Sequence, residues 1–502
     1  MAGTLVVISD SIGDVDTSDQ LMIFEAYQKA LIVNGENLKV ADFINTRLAT
    51  ADIVATASNT FPLHGTSLFG ATTSAAMVAD YVTAADGSAY VYGYVTTSQP
   101  FLSTEVVTGT NPIDSTTISF TINAEPVAHP HWYDWEPYPG GTFGEMPEKA
   151  YLGCLYRGRA VLSGNPKFPH QWWMSRQANI WDWAFLATDA LSPISGANSD
   201  AGELGDIVRC LIPCGDDYLV FGCASQVWLL RGDPAAGGTL DKLSGTTGIF
   251  GPLSWCWDSQ RNLYFWGSQG IYRMSPEFGI ENLTQDKLPD LIKDEGANPS
   301  THRITLGFDQ IRQGIVVSVV ELDSGSNSCY WYDIRTGGFF PEVYPTQCGA
   351  YCQYYYNANA ASLADLLIGC KDGYIRSFKD AATMDDTGST ETAIESRMFA
   401  GPALTARDAD SRGRMKSLSI TLGADTDSVD YEVYAEDTAE EVVDAILSSP
   451  LHTGTITGGN RTQTLRPRSR GAWMGILLRN DNDNETWSFE QAVAEIKAAG
   501  KI

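Results

Sequence analysis

Two groups of residues in this chain have the types and spacing to do chemistry. The first is aromatic. The stretch HQWWMSRQANIWDWAF places Trp172, Trp173, Trp181 and Trp183 within twelve positions, and Trp132 and Trp135 lie upstream. Indole faces stack on sugar rings, so Trp132, Trp135, Trp172 and Trp173 form a candidate carbohydrate platform. The same rings would serve equally as packing in a repeated β-sheet unit. The second group is basic: Arg461, Arg466, Arg468, Arg470 and Arg479 gather near the C-terminal end of a chain with 61 acids, 33 bases and a net charge of −28. A guanidinium presents paired N–H donors to a carboxylate or phosphate, so this cluster is a candidate subunit interface for an acidic partner. That partner can be a second copy of the chain, its acidic face meeting the basic patch head to tail.

No recognised catalytic motif accompanies these two groups. There is no GxSxG elbow, GxxxxGK[ST] phosphate loop, HExxH or GxGxxG. His129 and His131 form an HxH inside a proline-rich stretch, a polar loop rather than a metal site. Asp10, Asp14, Asp16 and Asp19 could hold a hard cation but fit a solvated turn capping a helix near Asp19. NDNDNETW at 480 starts like an EF-hand loop, yet the required glycine is Thr486 and the twelfth position is Ala492. Asp216/Asp217, Glu145/Glu148 and Asp182 are possible carboxylate pairs, and the sialidase-type box that would organise them is missing. The expectation is a non-enzyme with no catalytic, cofactor-binding or metal residue. Nine cysteines without any CxxC read as reduced, buried thiols.

Composition sets the frame for these residues. A chain of 502 residues exceeds one ordinary core and predicts about three domains. A hydrophobic fraction of 43% with 19% charged residues describes a soluble globular protein, and no apolar run approaches membrane-spanning length. The N-terminal MAGTLVVISDSIGDVD lacks the basic start and long apolar run of a secretory signal, which predicts synthesis and retention in a cytoplasm. The negative charge disfavours static nucleic-acid binding, while suiting a conduit that DNA slides past without sticking.

Abundant glycine and short alternating runs predict an all-β fold. Two helices are expected, Asp19 to Ala30 and the terminal Phe489 to Ala499, and Asn34-Gly35 predicts a hairpin with positive φ at both turn positions. Five stretches repeat one pattern of strand, glycine-containing turn and strand: RAVLSGNPKF, DYLVFGCASQVWLLRGD, NLYFWGSQGIYRMSP, GIVVSVVELDSGSNSCYWYDI and DLLIGCKDGYIRSFKD. Counted from Val161, Leu219, Leu263, Val316 and Leu366, they start 58, 44, 53 and 50 residues apart. That is the size of a four-stranded propeller blade, and large aromatics fill the space between blades.

The predicted organisation is therefore a β-propeller with an inserted module and a β-sandwich-like end. Residues 1–60 form a β/helical segment contributing to the platform or propeller, and 61–125 a small inserted β module. A proline- and aromatic-rich connector spans 126–150, the propeller 151–395, and the C-terminal β-sandwich-like segment with a final helix 396–502. Within the propeller, Trp172 and Trp173 are expected on the second strand of the first hairpin, with at least one of them buried. Trp181 and Trp183 are expected to pack where the chain crosses to the next blade.

Four stretches carry a family resemblance: KALIVNGENLKVADF; HGTSLFGATTSAAMVADY with QPFLSTEVVTG; RGRAVLSGNPKF to SRQANIWDWAF; and LRPRSRGAWMGILLRN to FEQAVAEIKAAGK. With them the chain resembles the β-propeller tail hub or nozzle proteins of short-tailed bacteriophages. The resemblance implies a structural virion protein of the tail, assembled in the host cytoplasm. It implies a homohexameric ring below the portal and adaptor proteins, conducting genomic DNA through its lumen without specific binding and anchoring tail fibres or spikes. No catalytic residue and no cofactor comes with it. The competing function is a carbohydrate-binding or carbohydrate-cleaving propeller of the tailspike kind, using the four tryptophans.

Overall fold

Period-two alternation governs the chain from its first strand. The structure is a computed structural model, and it describes residues 15–16, 20–53, 61–85, 88–139, 142–379, 382–388, 390–406, 411–458 and 462–501. Within 22–33, where a helix was expected, strands Met22–Ala26 and Lys29–Val33 pair in one hairpin. Its two turn residues, Tyr27 and Gln28, both have positive φ (53° and 58°), the backbone of a two-residue hairpin turn. Phe24 turns inward and Ile23 outward, so the apparent helical spacing was a strand's alternation. The Asn34-Gly35 hairpin exists in a different form. Its strands end at Val33 and resume at Leu38, and only Gly35 has positive φ (87°). The Asn34 side chain accepts from the Glu36 and Asn37 amides, and a Cβ on Gly35 would lie 2.3 Å from the Tyr151 ring.

The chain divides into two compact units, Met1–Leu322 with Tyr330–Phe340, and Asp323–Cys329 with Pro341–Ile502. In the first, antiparallel four-stranded meanders follow one another. The first sheet joins Met22–Ala26, Lys29–Val33, Leu38–Asp42 and His131–Asp134. The second contains Leu152–Tyr156, Arg159–Ser163, Trp172–Met174 and Ile194–Ser195, and the third Val208–Cys214, Tyr218–Cys223, Val227–Arg231 and Thr239–Ser244. The fourth has Trp255–Trp257, Leu263–Gly267, Gly270–Met274 and Ile280–Asn282. The fifth opens with His302–Asp309 and Gly314–Glu321, and the boundary between units runs through its last two strands, Asn327–Asp333 and Gly338–Glu342. The first predicted repeat covers the second strand of the second sheet, and the next three fall on the second and third strands of the third to fifth sheets. The strand order of each sheet is the up-and-down meander of a propeller blade.

The inserted module starts earlier than its composition suggests. Its six-stranded sheet runs in the order Thr46–Thr50, Ser88–Val95, Ala76–Ala85, Ser67–Gly70, Val106–Thr110, Thr117–Thr121. It leaves the first sheet after Asp42, and the chain re-enters that sheet at His131, the residue paired with Asp42. The predicted connector thus supplies a strand. Module and first sheet share one hydrophobic core, in which Leu31, Val40, Leu68, Val91 and Phe120 are buried.

The second unit carries the fifth predicted repeat in a three-stranded sheet, Ala350–Tyr356, Asp365–Cys370 and Ile375–Ser377. Two further sheets face each other as a sandwich. One joins Ser396–Leu404, Trp473–Asn480, Val429–Glu436 and His452–Ile456. In the other, Ser411–Leu422 lies between Phe489–Lys501 on one side and Thr462–Leu465 with Arg470–Gly471 on the other. Met415, Leu418 and Ile420 of one sheet meet Val429, Val433 and Leu478 of the other. The expected terminal helix is Phe489–Lys501, a 13-residue strand paired along Ser411–Leu422. Its Ala, Glu and Lys content favours a helix, and pairing with a long neighbouring strand overrides that weak preference. A short helix of this unit that was not expected, Ala439–Asp444, starts at a Thr438–Glu441 capping box.

Candidate functional site

The tryptophans do not assemble into a sugar platform. Trp172 and Trp173 lie on Trp172–Met174, the strand paired with Arg159–Ser163, and point to opposite faces. Trp172 has 0% exposure, sits 6.2 Å from Phe221 between ring centroids, and donates from Nε1 to the Gly202 carbonyl. Trp173 is half-buried against the core shared by the module and first sheet. Trp135 is buried in that same core and donates to the Ile180 carbonyl, and Trp132 alternates with it on the other face of its segment, half-buried. Two of the four rings are thus sealed in different clusters, and no sugar could reach both. Trp181 and Trp183 also pack differently from expectation, against the inserted module and the first sheet: Trp181 stacks on Tyr81 at 3.9 Å and Trp183 lies 6.2 Å from Trp135.

That contact surrounds a buried ionic network absent from any sequence expectation. Asp80 Oδ2 lies 2.7 Å from Lys29 Nζ and accepts from Asn45 Nδ2, while its Oδ1 accepts from Trp181 Nε1 at 3.1 Å and lies 3.0 Å from His64 Nδ1. Asn45 also donates to Asp42, which accepts the Tyr133 hydroxyl at 2.9 Å. Burial acts to raise the Asp80 carboxyl, and the His64 hydrogen bond with the Lys29 charge outweighs it, holding the group well below the carboxylate range. The Asp80–His64 pair resembles a base and its orienting acid. The Tyr138 hydroxyl accepts from the His64 backbone amide at 2.8 Å, and among the described residues no hydroxyl or thiol is hydrogen-bonded to the His64 ring. The network instead locks module to sheet. A bulge between Ala79 and Tyr81 places Asp80 there, a feature invisible to period-two reading.

Segments in or beside the five four-stranded meanders, all within the first unit, line one cavity. It measures about 380 Å³ and is lined where their first strands begin: Gln20 and Met22, Leu152, Val208 and Arg209, Phe250 to Pro252, and His302 to Ile304. No lining residue is Asp or Glu, whereas Arg209, Arg303 and His302 all contribute. The Gln20 Nε2 group is buried without a hydrogen-bond acceptor among the described residues. The sequence offered no signal for this site, because its residues come from short segments scattered between Gln20 and Ile304.

In the second unit the arginines divide. Arg461 lies outside the described residues. Arg466, Arg468 and Arg470 are exposed and alternate with buried Pro467 and Ser469. Arg479 is separate: half-buried on Trp473–Asn480, with Nε 3.7 Å from Glu432. The cluster gains a member that sequence order concealed. Arg414 stands directly opposite Arg470 on one side and Lys497 on the other, so three cations lie in one row across the sheet. Arg414, Arg466 and Arg468 have no acidic partner among the described residues, while Arg470 donates to the Ala499 carbonyl.

The other candidate groups are structural. His129 is exposed and His131 buried, so they do not face a common ligand; burial and then the Arg47 charge push His131 toward its neutral form. No group of His, Cys, Asp and Glu among the described residues could hold a metal ion. Of the N-terminal acids, Asp10, Asp14 and Asp19 lie outside the described residues, and the Asp16 amide donates to Asn37 Oδ1 at 2.8 Å. Asp217 pairs with Arg261 and Asp216 accepts from the Arg157 amide, both at surface positions. Asp182 is buried, which raises its carboxyl against the Ala184 amide and Arg176.

No protein-family model and no curated protein matches the chain. Among solved structures, it is similar to the extracellular domain of the one-component system BT4673 from Bacteroides thetaiotaomicron (9% identity, TM-score 0.34), covering 73% of this chain and 39% of that one. It is also similar to a quinonprotein alcohol dehydrogenase-like protein, BT1487, from the same organism (12% identity, TM-score 0.27), covering 64% of this chain and 65% of that one. A protein from Lactobacillus plantarum is similar at 10% identity and TM-score 0.28, covering 63% of this chain and 96% of that one. The chain therefore spans less than two thirds of both Bacteroides structures. Resemblance at this level bears on neither the activity nor the partners of the chain. No helix among the described residues is long and apolar enough to cross a membrane.

Proposed function

We propose that this is a structural assembly protein rather than an enzyme, and that the assembly is the tail of a short-tailed bacteriophage, with the chain as its nozzle or hub. The observation that carries the assembly role is the row Arg470, Arg414 and Lys497. Like charges directly opposite one another on a sheet are destabilising, and the rest of the chain is strongly acidic. An acidic surface laid over the row would relieve that repulsion, and a second copy of the chain supplies one. The four stretches shared in type with tail hub and nozzle proteins support the phage reading. On it, the blade-like meanders close into a propeller around the cavity of the first unit. Copies form a ring with portal or adaptor proteins above and fibres or spikes attached, and DNA passes without specific binding.

The test has two arms. Light scattering on purified protein should show a ring-sized oligomer that shifts toward monomer in Arg414→Glu/Arg470→Glu and in high salt. Cryo-electron microscopy of particles should place the chain in the tail. A monomer in all conditions removes the assembly role, and absence from particles removes the phage role.

A further inference from the structure

We infer that the cavity lined by segments in or beside the five meanders is a binding site for a small organic carboxylate, an anionic head on an apolar body. This stands independently of the phage reading, since it rests on the first unit alone.

Three observations carry it. The first is charge segregation: the chain has 61 acids against 33 bases, yet the wall of this cavity holds Arg209, Arg303 and His302 and no acid. A wall that carries the Arg209 guanidinium and no carboxylate of its own attracts anions locally. The second is unmet donor capacity. Arg209 is half-buried and has neither ion-pair partner nor hydrogen-bond acceptor among the described residues, and Gln20 Nε2 is sealed from solvent without an acceptor. A buried donor without an acceptor is uncommon, and one that shares a cavity with a half-buried guanidinium asks for a ligand that only accepts. A carboxylate does so, taking two parallel N–H bonds from a guanidinium and a third from an amide.

The third observation is the remaining wall. Met22, Leu152, Phe250, Pro252 and Ile304 give it an apolar lining. A volume of about 380 Å³ is at the small end of the range for small-molecule sites. An inorganic ion would leave most of that apolar surface uncovered, and a neutral apolar molecule would leave Arg209 and Gln20 unsatisfied. Only a ligand with both parts satisfies both walls. The lining comes from sheet strands and the proline-containing segments beside them, Pro166, Pro169, Pro252 and Pro299 among them, which fixes the head and body positions before binding.

Calorimetric titration of the full chain with octanoate and with octanol tests this directly. Octanoate should bind at least about tenfold more tightly than octanol, since a charge-assisted pair separates them. Raising NaCl should weaken octanoate and leave octanol unchanged. Arg209→Gln should abolish the preference while retaining octanol binding, and Gln20→Met should weaken octanoate with its fold intact. Equal affinities, no binding of either at millimolar concentration, or a folded Arg209→Gln that keeps the preference would overturn the inference. Should Arg209→Gln not fold, the salt series on the unaltered protein and the Gln20→Met titration decide it alone.

Discussion

Asp80 shows how much one side chain can hold. Lys29 is only 4% exposed, and its charge is tolerated because Asp80 lies 2.7 Å away. Asp80→Asn should cost about 3–5 kcal/mol in denaturant unfolding, because it strands that ammonium in the core. The pH dependence follows from the same pair. The folded carboxyl lies below its ordinary value of 3.8, so its contribution is complete above that pH and is lost as pH falls toward the folded value. The unaltered protein should lose stability on acidification below about pH 4 more steeply than Asp80→Asn, by circular dichroism. At Trp172 the prediction separates packing from recognition. Trp172→Ala should lower stability by about 3–5 kcal/mol and leave glycan-array binding unchanged, and Trp173→Ala should cost less because that ring is half-buried.

Among elements, the sandwich sheet carrying Arg470, Arg414 and Lys497 makes the sharpest claim. Arg414→Thr removes the middle cation and adds a residue suited to a strand, so the isolated chain should gain a few tenths to about 1 kcal/mol, read as a raised denaturation midpoint. The same change should weaken self-association, an opposite sign that a purely structural arginine would not give. The elements also show what could be read in advance. The five repeated hairpins were legible because each depends on a few neighbouring residues: an alternating run, a glycine turn and a second run. The segment Phe489–Lys501 was not, because its composition favours a helix and its strand state depends on a partner about 80 residues away. Asp80 was illegible for a related reason. Its partners Lys29, Asn45, His64 and Trp181 come from four separate stretches, and a bulge directs it toward them.

For the whole molecule, nine free thiols offer a global readout of packing. Seven are buried, Cys214 is partly covered and only Cys352 is exposed. Burial pushes the Cys223 thiol up to about 12, and burial likewise raises Cys348 to about 11, against the opposing Arg376 charge. A thiol reagent at neutral pH should therefore label one cysteine quickly and the buried set only on unfolding, and Cys352→Ser should erase the fast phase. The charge imbalance gives a second reading at this scale: assembly driven by a basic row on an acidic body should weaken as salt rises.

The place where the inserted module joins has a consequence for how such a chain can change over time. Asp42 and His131 are cross-strand partners, so the points of departure and return sit side by side on one sheet. A piece with adjacent ends can be exchanged between lineages without moving the strands that flank it, much as a fitting is changed on a fixed socket. The socket is selective, however. Lys29 and Trp181 remain behind with their hydrogen-bonding groups turned toward the vacancy, so an incoming module must bring its own carboxylate to the position that Asp80 now fills. Diversity of the outer module and constancy of that one acid should therefore go together.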